Sequence, residues 1–351
     1  MVKKILQLFN YDGIIIFVNN MHKKEFAINY LLNFQNKKCI FVYRKNPVYE
    51  VSENKIILNN IFFFIFSFIL GLKFKKKFIM IFSQPYFATP YFLLGKIVSV
   101  YFYDVHNGLL YENKIKQVIE KISILFFKNI IHRDLRLWVE YKFHLKKKSR
   151  QNLLIPDLII KKNKINVKQN NNNVKCAIIG WVDDKFVKVD QSVRILVKLG
   201  VEIYFFTSLN CFNLVTKNLN LDERYMSQIH YIGYLENENL ETFLEDFSVG
   251  LCPHDAKNPL ISNKYKKYCA SMRVIDYIQN SLTIFLSDKT LFQKFICSKY
   301  NANYHNINDL KLIKTIDELK NKIVVKKITY NKSIFNEKKL SEKLVNFLTL
   351  N

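Results

Sequence analysis

At 351 residues, about half of them apolar, the chain is longer than one hydrophobic core usually serves, so two globular domains are expected and a disordered polymer is excluded. Its six cysteines, Cys39, Cys176, Cys211, Cys252, Cys269 and Cys297, contain no CxxC pair, which excludes a zinc ribbon and a disulfide framework and fits reduced thiols in a cytoplasmic protein. The formal charge of +25 is dispersed over short clusters such as Lys75-Lys76-Lys77 and Lys146-Lys147-Lys148, with no basic arm or tail, so it points to anionic surfaces or substrates as readily as to bulk composition.

The N-terminus runs from Met1-Val2-Lys3-Lys4 into Ile5 to Phe9, which reads as a strand and carries none of the marks of a signal peptide. Short β-branched and aromatic runs then alternate with helical periods, the pattern of a parallel sheet with crossover helices. Ile14 to Val18 predicts a strand, Lys23 to Phe34 a helix and Cys39 to Tyr43 a strand. A helix follows near Asn60 to Leu72, a strand at Phe78 to Ser83, a helix after Pro90 and a strand at Ile97 to Tyr103. Asn113 to Phe127 predicts a further helix and Asn129 to His132 a short strand. The apolar run Ile61 to Leu72 is too short to span a bilayer, which takes roughly 20 residues. It reads as a buried helix or as an interfacial one with a basic flank at Lys73 to Lys77.

Lys161 to Asn173 turns to lysine and asparagine and reads as a linker. A second alternating series follows, with strands at Val174 to Ile179, Val201 to Thr207, Ile229 to Ile232, Val249 to Cys252 and Leu282 to Leu286. Between them lie helices at Gln191 to Leu199, Leu240 to Phe247, Met272 to Gln279 and Thr290 to Lys299, and Glu337 to Leu350 predicts an amphipathic helix that packs back on the first domain. The expected architecture is therefore α/β, with two Rossmann-like doubly wound domains, 1–160 and 174–330, facing a cleft and followed by a helical segment at 331–351. Ligands of such sheets bind beyond the carboxyl ends of the strands.

Eight glycines supply no GxGxxG and no Walker A loop, and GxSxG is missing, so dinucleotide enzymes, P-loop NTPases and serine hydrolases lack their signatures. The informative segment is Val249 to Leu286. There a strand closes on Cys252-Pro253-His254-Asp255, a lysine-rich loop follows, and Ser271-Met272-Arg273-Val274-Ile275-Asp276-Tyr277-Ile278 opens a helix. A helix start beyond a strand offers unpaired N–H groups and a positive dipole end to a diphosphate. Arg273 adds a bidentate charged donor, and Asp276, three residues on, shares its face and suits the hydroxyls of a ribose. The competing reading makes Ser271 an ordinary N-cap and Asp276 a solvated helix residue.

Tyr231-Ile232-Gly233-Tyr234-Leu235, Leu240 to Leu244, Val249 to Pro253 and Ser271 to Tyr277, in that order, resemble the donor-binding domain of bacterial GT-B glycosyltransferases. The resemblance implies that Arg273 meets the diphosphate and Asp276 the ribose of a nucleotide-sugar donor, with Gly180 turning near the phosphates. His254 and Asp255 read either as hydrogen-bonded loop residues or, on the donor side, as contacts to the transferred sugar or its phosphate. Tyr103-Asp104-Val105-His106-Asn107 resembles the family's acidic-His segment, which makes Asp104 and His106 candidates for the base that deprotonates the acceptor. Ile131-His132-Arg133-Asp134 resembles a later strand end. Two departures stand out: Tyr268 occupies the place of the first glutamate of the pair found in many retaining members, and Ser281 stands where a glycine is usual.

The expected activity is transfer of a sugar from a nucleotide-sugar to a glycan or lipid-linked acceptor in bacterial surface polysaccharide or lipooligosaccharide synthesis. The nucleotide-sugar is a co-substrate, and neither a cofactor nor a metal is expected. The expected location is the inner face of the cytoplasmic membrane, held by anionic lipid. The alternatives are a nucleic-acid binder and a non-catalytic membrane-surface protein. The aromatic residues lie mostly within apolar strand and helix runs, where core packing accounts for them better than base stacking, so no nucleic-acid partner is expected.

Overall fold

The computed structural model describes residues 2–19, 27–44, 55–74, 78–82, 85–102, 114–136, 151–155, 173–182, 187–235, 237–254, 263–269, 271–324 and 336–349. The chain divides into two compact units, Met1–Ile159 together with Phe335–Asn351, and Ile160–Ile334.

The first unit is built on a fully parallel seven-stranded sheet. Its strands are β1 (Ile14–Val18), β2 (Cys39–Tyr43), β3 (Lys55–Ile57), β4 (Phe78–Phe82), β5 (Ser99–Phe102), β6 (Asn129–His132) and β7 (Gln151–Leu154), in the order β3-β2-β1-β4-β5-β6-β7. The central strands are buried along their whole length, which is why they read as continuous apolar runs. Right-handed crossovers send α2 (Ala27–Phe34) to one face, and α3 (Asn60–Phe74), a 3-10 run (Pro85–Leu94) and α4 (Lys114–Phe126) to the other. Phe63, Leu70, Ala88, Tyr91, Leu94 and Ile124 from the second group close one core against the sheet. On the α2 side lies the helix Glu337–Thr349, which buries Leu340, Leu344, Phe347 and Leu348. Its Ser341 Oγ donates to the Leu31 carbonyl of α2 at 2.9 Å.

Two expectations are corrected. Val2–Phe9 is a helix, α1, because its apolar residues Val2, Ile5, Leu6 and Phe9 stand three and four positions apart, as do Ile5 and Leu8, the spacing of one helical face. The segment around Pro90 is a 3-10 run kinked at Tyr91, because a proline inside it removes a donor and restricts the residue before it.

The second unit carries a fully parallel six-stranded sheet. Its strands are β8 (Lys175–Ile179), β9 (Glu202–Phe206), β10 (Ile229–Tyr231), β11 (Val249–Cys252), β12 (Thr283–Leu286) and β13 (Tyr304–Asn306), in the order β10-β9-β8-β11-β12-β13. That is the order of a doubly wound nucleotide-binding sheet, with its direction of winding reversing between β8 and β11. In sequence order the helices are α5 (Asp190–Lys198), α6 (Leu209–Leu219), α7 (Glu223–Met226), α8 (Asn237–Leu244), α9 (Asn263–Tyr268), α10 (Met272–Gln279), α11 (Leu291–Lys299) and α12 (Ile316–Lys322).

Helix α10 ends in a Schellman motif, in which Ser281 N–H donates to the Ile278 carbonyl and Leu282 N–H to the Tyr277 carbonyl, each at 3.0 Å. Ser281 takes the left-handed position, at φ +56°. A glycine is usual there because a side chain in that region costs roughly 1–2 kcal/mol. Ser281→Gly is therefore expected to raise stability by about 1 kcal/mol, part of the gain being offset by the freer unfolded chain. A denaturation midpoint at or below that of the parent would contradict this account of the turn.

Candidate functional site

Strands β8 and β11 pair only through Cys176 with Val249 and Ala177 with Gly250. On their outer sides both continue, β8 to the pairing of Ile179 with Phe206 and β11 to that of Cys252 with Leu286. The two central strands therefore part from each other at their carboxyl ends, the place where open sheets of this kind bind ligands, since the winding reverses there.

Tyr277, on α10, occupies the point of separation. Its fully buried hydroxyl lies 3.0 Å from the carbonyls of Ala177 and Leu251 and accepts from Ile179 N–H at 3.2 Å, taking over bonds that the ladder no longer makes. Burial holds this phenol well above its ordinary pKa, so it stays a neutral donor. The ring lies against Gly250, where an added Cβ would sit 2.5 Å from it. A glycine inside a strand signals such a close approach.

The residue after β8 is Gly180, in a left-handed turn at φ +78°. Arg273, in the first turn of α10, reaches this turn, and its Nη2 donates to the Trp181 carbonyl at 2.8 Å. Its Nη2 lies 3.4 Å from where a Cβ on Gly180 would be, an ordinary contact distance, so the guanidinium packs directly against the turn and it is the positive φ that calls for glycine. Arg273 Nη1 is sealed from solvent and has no acceptor among the described residues. A charged donor left in that state is costly unless an acceptor arrives.

Ser271 stands at the N-cap of α10 with extended backbone, but its side chain makes no capping hydrogen bond. The hydroxyl instead faces the Cys252 thiol, which donates to it across 3.7 Å. The ordinary N-cap reading is therefore not met, and the first N–H groups of the helix lack that partner. Cys252 also approaches Gln293 Oε1 at 3.3 Å and His254 Nδ1 at 3.9 Å, and burial raises its pKa despite the nearby Arg273. His254 is fixed through its backbone, whose N–H donates to the buried Ser287 Oγ at 2.6 Å.

Gly180, Ser271, Arg273 and His254 thus gather at the carboxyl ends of β8 and β11. Asp276 lies one turn along α10 from Arg273, on the face that a spacing of three implies. Asp104, His106 and Asp255 lie outside the described residues. Pro253, next after β11, borders an open groove of about 650 Å³ lined by Lys188, Lys289 and Lys311 against a single acid, Asp288, so its lining is net positive. Sequence reasoning missed the roles of Tyr277, Trp181 and Cys252, although Gly250 inside its strand was a signal for the first.

No protein-family model matches the chain, and no curated protein sequence matches it. Solved structures do. The lipopolysaccharide outer core galactosyltransferase WaaB is similar over 95% of this chain and 98% of its own, at 10% identity and a TM-score of 0.55. Anabaena HepE in complex with UDP-glucose is similar over 97% and 98%, at 8% identity and 0.56. A glycosyltransferase from Rickettsia africae is similar over 97% and 94%, at 12% identity and 0.58. With two parallel doubly wound sheets and likeness along nearly its whole length, the chain has the GT-B fold of these glycosyltransferases.

Proposed function

We propose that the protein is a glycosyltransferase that takes a sugar from a nucleotide-sugar and passes it to a glycan or lipid-linked acceptor in bacterial surface polysaccharide or lipooligosaccharide synthesis. The observation that carries this reading is the Arg273 guanidinium, held at the switch point beside the Gly180 turn with Nη1 unpartnered among the described residues. A diphosphate supplies the acceptor that this nitrogen lacks, and the uncapped start of α10 adds N–H groups and a positive dipole end. Asp276 is assigned to the ribose, and His254 with Asp255 to the transferred sugar or its phosphate. Asp104 or His106 is assigned to deprotonation of the acceptor. The donor is the sole co-substrate in this reading, with no metal or further cofactor and no nucleic acid as partner. Catalysis takes place at the cytoplasmic face of an anionic membrane, where a lipid-linked acceptor resides.

HepE binds UDP-glucose, so UDP and UDP-glucose are the first probes. At a hundred times its dissociation constant such a ligand stabilises the native state by about 2.7 kcal/mol. A rise in melting temperature with UDP or another nucleoside diphosphate, and none with the matching nucleoside at equal concentration, is expected. If no nucleoside diphosphate or nucleotide-sugar shifts the transition at millimolar concentration, the reading fails.

A further inference from the structure

The layer formed by α3, the 3-10 run and α4 is apolar on both sides. Inward, it closes the core of the first unit. Outward, it leaves Ile61, Ile65, Ile69 and Leu72 of α3 exposed, then Phe92 and Leu93, then Ile115, Val118, Ile119 and Ile122 of α4. The three pieces form one continuous surface, since Phe64 stacks on Tyr91 with centroids 6.0 Å apart and Phe92 meets Phe126 at 5.3 Å. Helix α4 turns an apolar stripe outward: its polar Glu120 and Ser123 are fully buried alongside Ile124, while Ile115, at 74% exposure, faces water. Water does not favour that arrangement, and a patch of this kind marks an interaction site.

Charge selects the occupant. Glu120 is the only acidic residue in the three segments, and it is buried. Lysines stand among and beside the apolar residues, with Lys96 and Lys114 exposed and Lys121 and Lys128 partly so. Exposed apolar side chains with lysines beside them, and no outward acid within the three segments, match the headgroup and acyl boundary of an anionic bilayer. No helix among the described residues is long and apolar enough to cross a membrane.

We infer that this face docks flat on an anionic lipid surface, seating Ile61, Ile65, Ile115 and Ile122 among the upper acyl chains and the lysines at the phosphate level. The inference deepens the proposed function and rests on it in one respect, that a lipid-linked acceptor brings the enzyme to a membrane. Its test needs no nucleotide-sugar, so the two fail separately.

The test is co-sedimentation with vesicles of phosphatidylglycerol and phosphatidylcholine, and with phosphatidylcholine alone. The parent protein is expected to bind the anionic vesicles at least tenfold better and to be weakened by salt. Ile65→Glu with Ile122→Glu, and separately Lys96→Glu with Lys114→Glu, are each expected to lose at least tenfold in binding. Melting temperatures of the variants should match that of the parent, and the single change Ile115→Glu, at the most exposed of these positions, repeats the test should the double variant fold poorly. Equal binding by parent and apolar-face variants overturns the inference. So does a lipid-free dimer in sedimentation velocity that Ile65→Glu with Ile122→Glu turns into monomer, since the face then joins two copies of the chain.

Discussion

Gly250→Ala is expected to destabilise the second unit by about 1–3 kcal/mol, the usual cost of overpacking, and Gly250→Val by more. The added Cβ would lie 2.5, 2.6 and 2.7 Å from three carbons of the Tyr277 ring, inside contact distance for any side chain. A ring at a surface would swing away. This one is held by its hydroxyl to Ala177, Leu251 and Ile179, and turning it would leave those backbone groups unsatisfied in the core. The two positions should therefore be coupled, and Gly250→Ala should cost much less in a Tyr277→Ala background. Urea unfolding followed by Trp181 fluorescence, with Trp138→Phe to silence the other tryptophan, measures all four corners of that cycle. Additive effects, or a cost below about 0.5 kcal/mol for Gly250→Ala, would show that the ring is not pinned.

Arg273→Ala is expected to weaken binding of a nucleoside diphosphate by about 1.5–3 kcal/mol, the loss of a charged hydrogen bond, which is about tenfold to 150-fold in affinity. The nucleoside alone should bind as before. Arg273→Lys should recover little, because an ammonium cannot keep a bond to the Trp181 carbonyl and present a second donor in the plane of a phosphate. Asp276→Asn should show the opposite selectivity, weakening nucleoside, monophosphate and diphosphate alike. Calorimetric titration of these ligands separates the two roles from a general loosening of α10, which would weaken them all in every variant. Parent-like binding of UDP by Arg273→Ala would remove the donor site from these strand ends.

Much of this fold can be read in the chain because buried parallel strands are short apolar runs between turn signals. The bounds of β11 and α10 were legible to the residue, since Val249 to Cys252 and Met272 to Gln279 are each closed by polar or proline residues. The edge strands β3 and β7 were not: Lys55–Ile57 is three residues long, and Gln151–Leu154 is only half-buried and carries too little apolar pattern. Helix α6 was hidden by asparagine and threonine of low helix propensity, although Ser208 caps it by accepting from Cys211 N–H at 3.3 Å. At the site, the helix bearing Arg273 and Asp276 was visible. Its partners were not, because Arg273 and Trp181 lie 92 positions apart and Tyr277 and Ala177 lie 100 apart. No local pattern reports contacts across a sheet.

The closure of α2 by the helix Glu337–Thr349 sets an order on synthesis. Ser341 and Leu31 are 310 positions apart, and the whole second unit is translated between them. While the ribosome is making that unit, all strands of the first sheet have been translated and can pair, yet the outer side of α2 has no cover and the Leu31 carbonyl no Ser341 hydroxyl. The second unit has its own sheet and core and can close first. The first unit is thus closed only after the second has been made, and until then its bare α2 face is a part of the nascent chain open to aggregation.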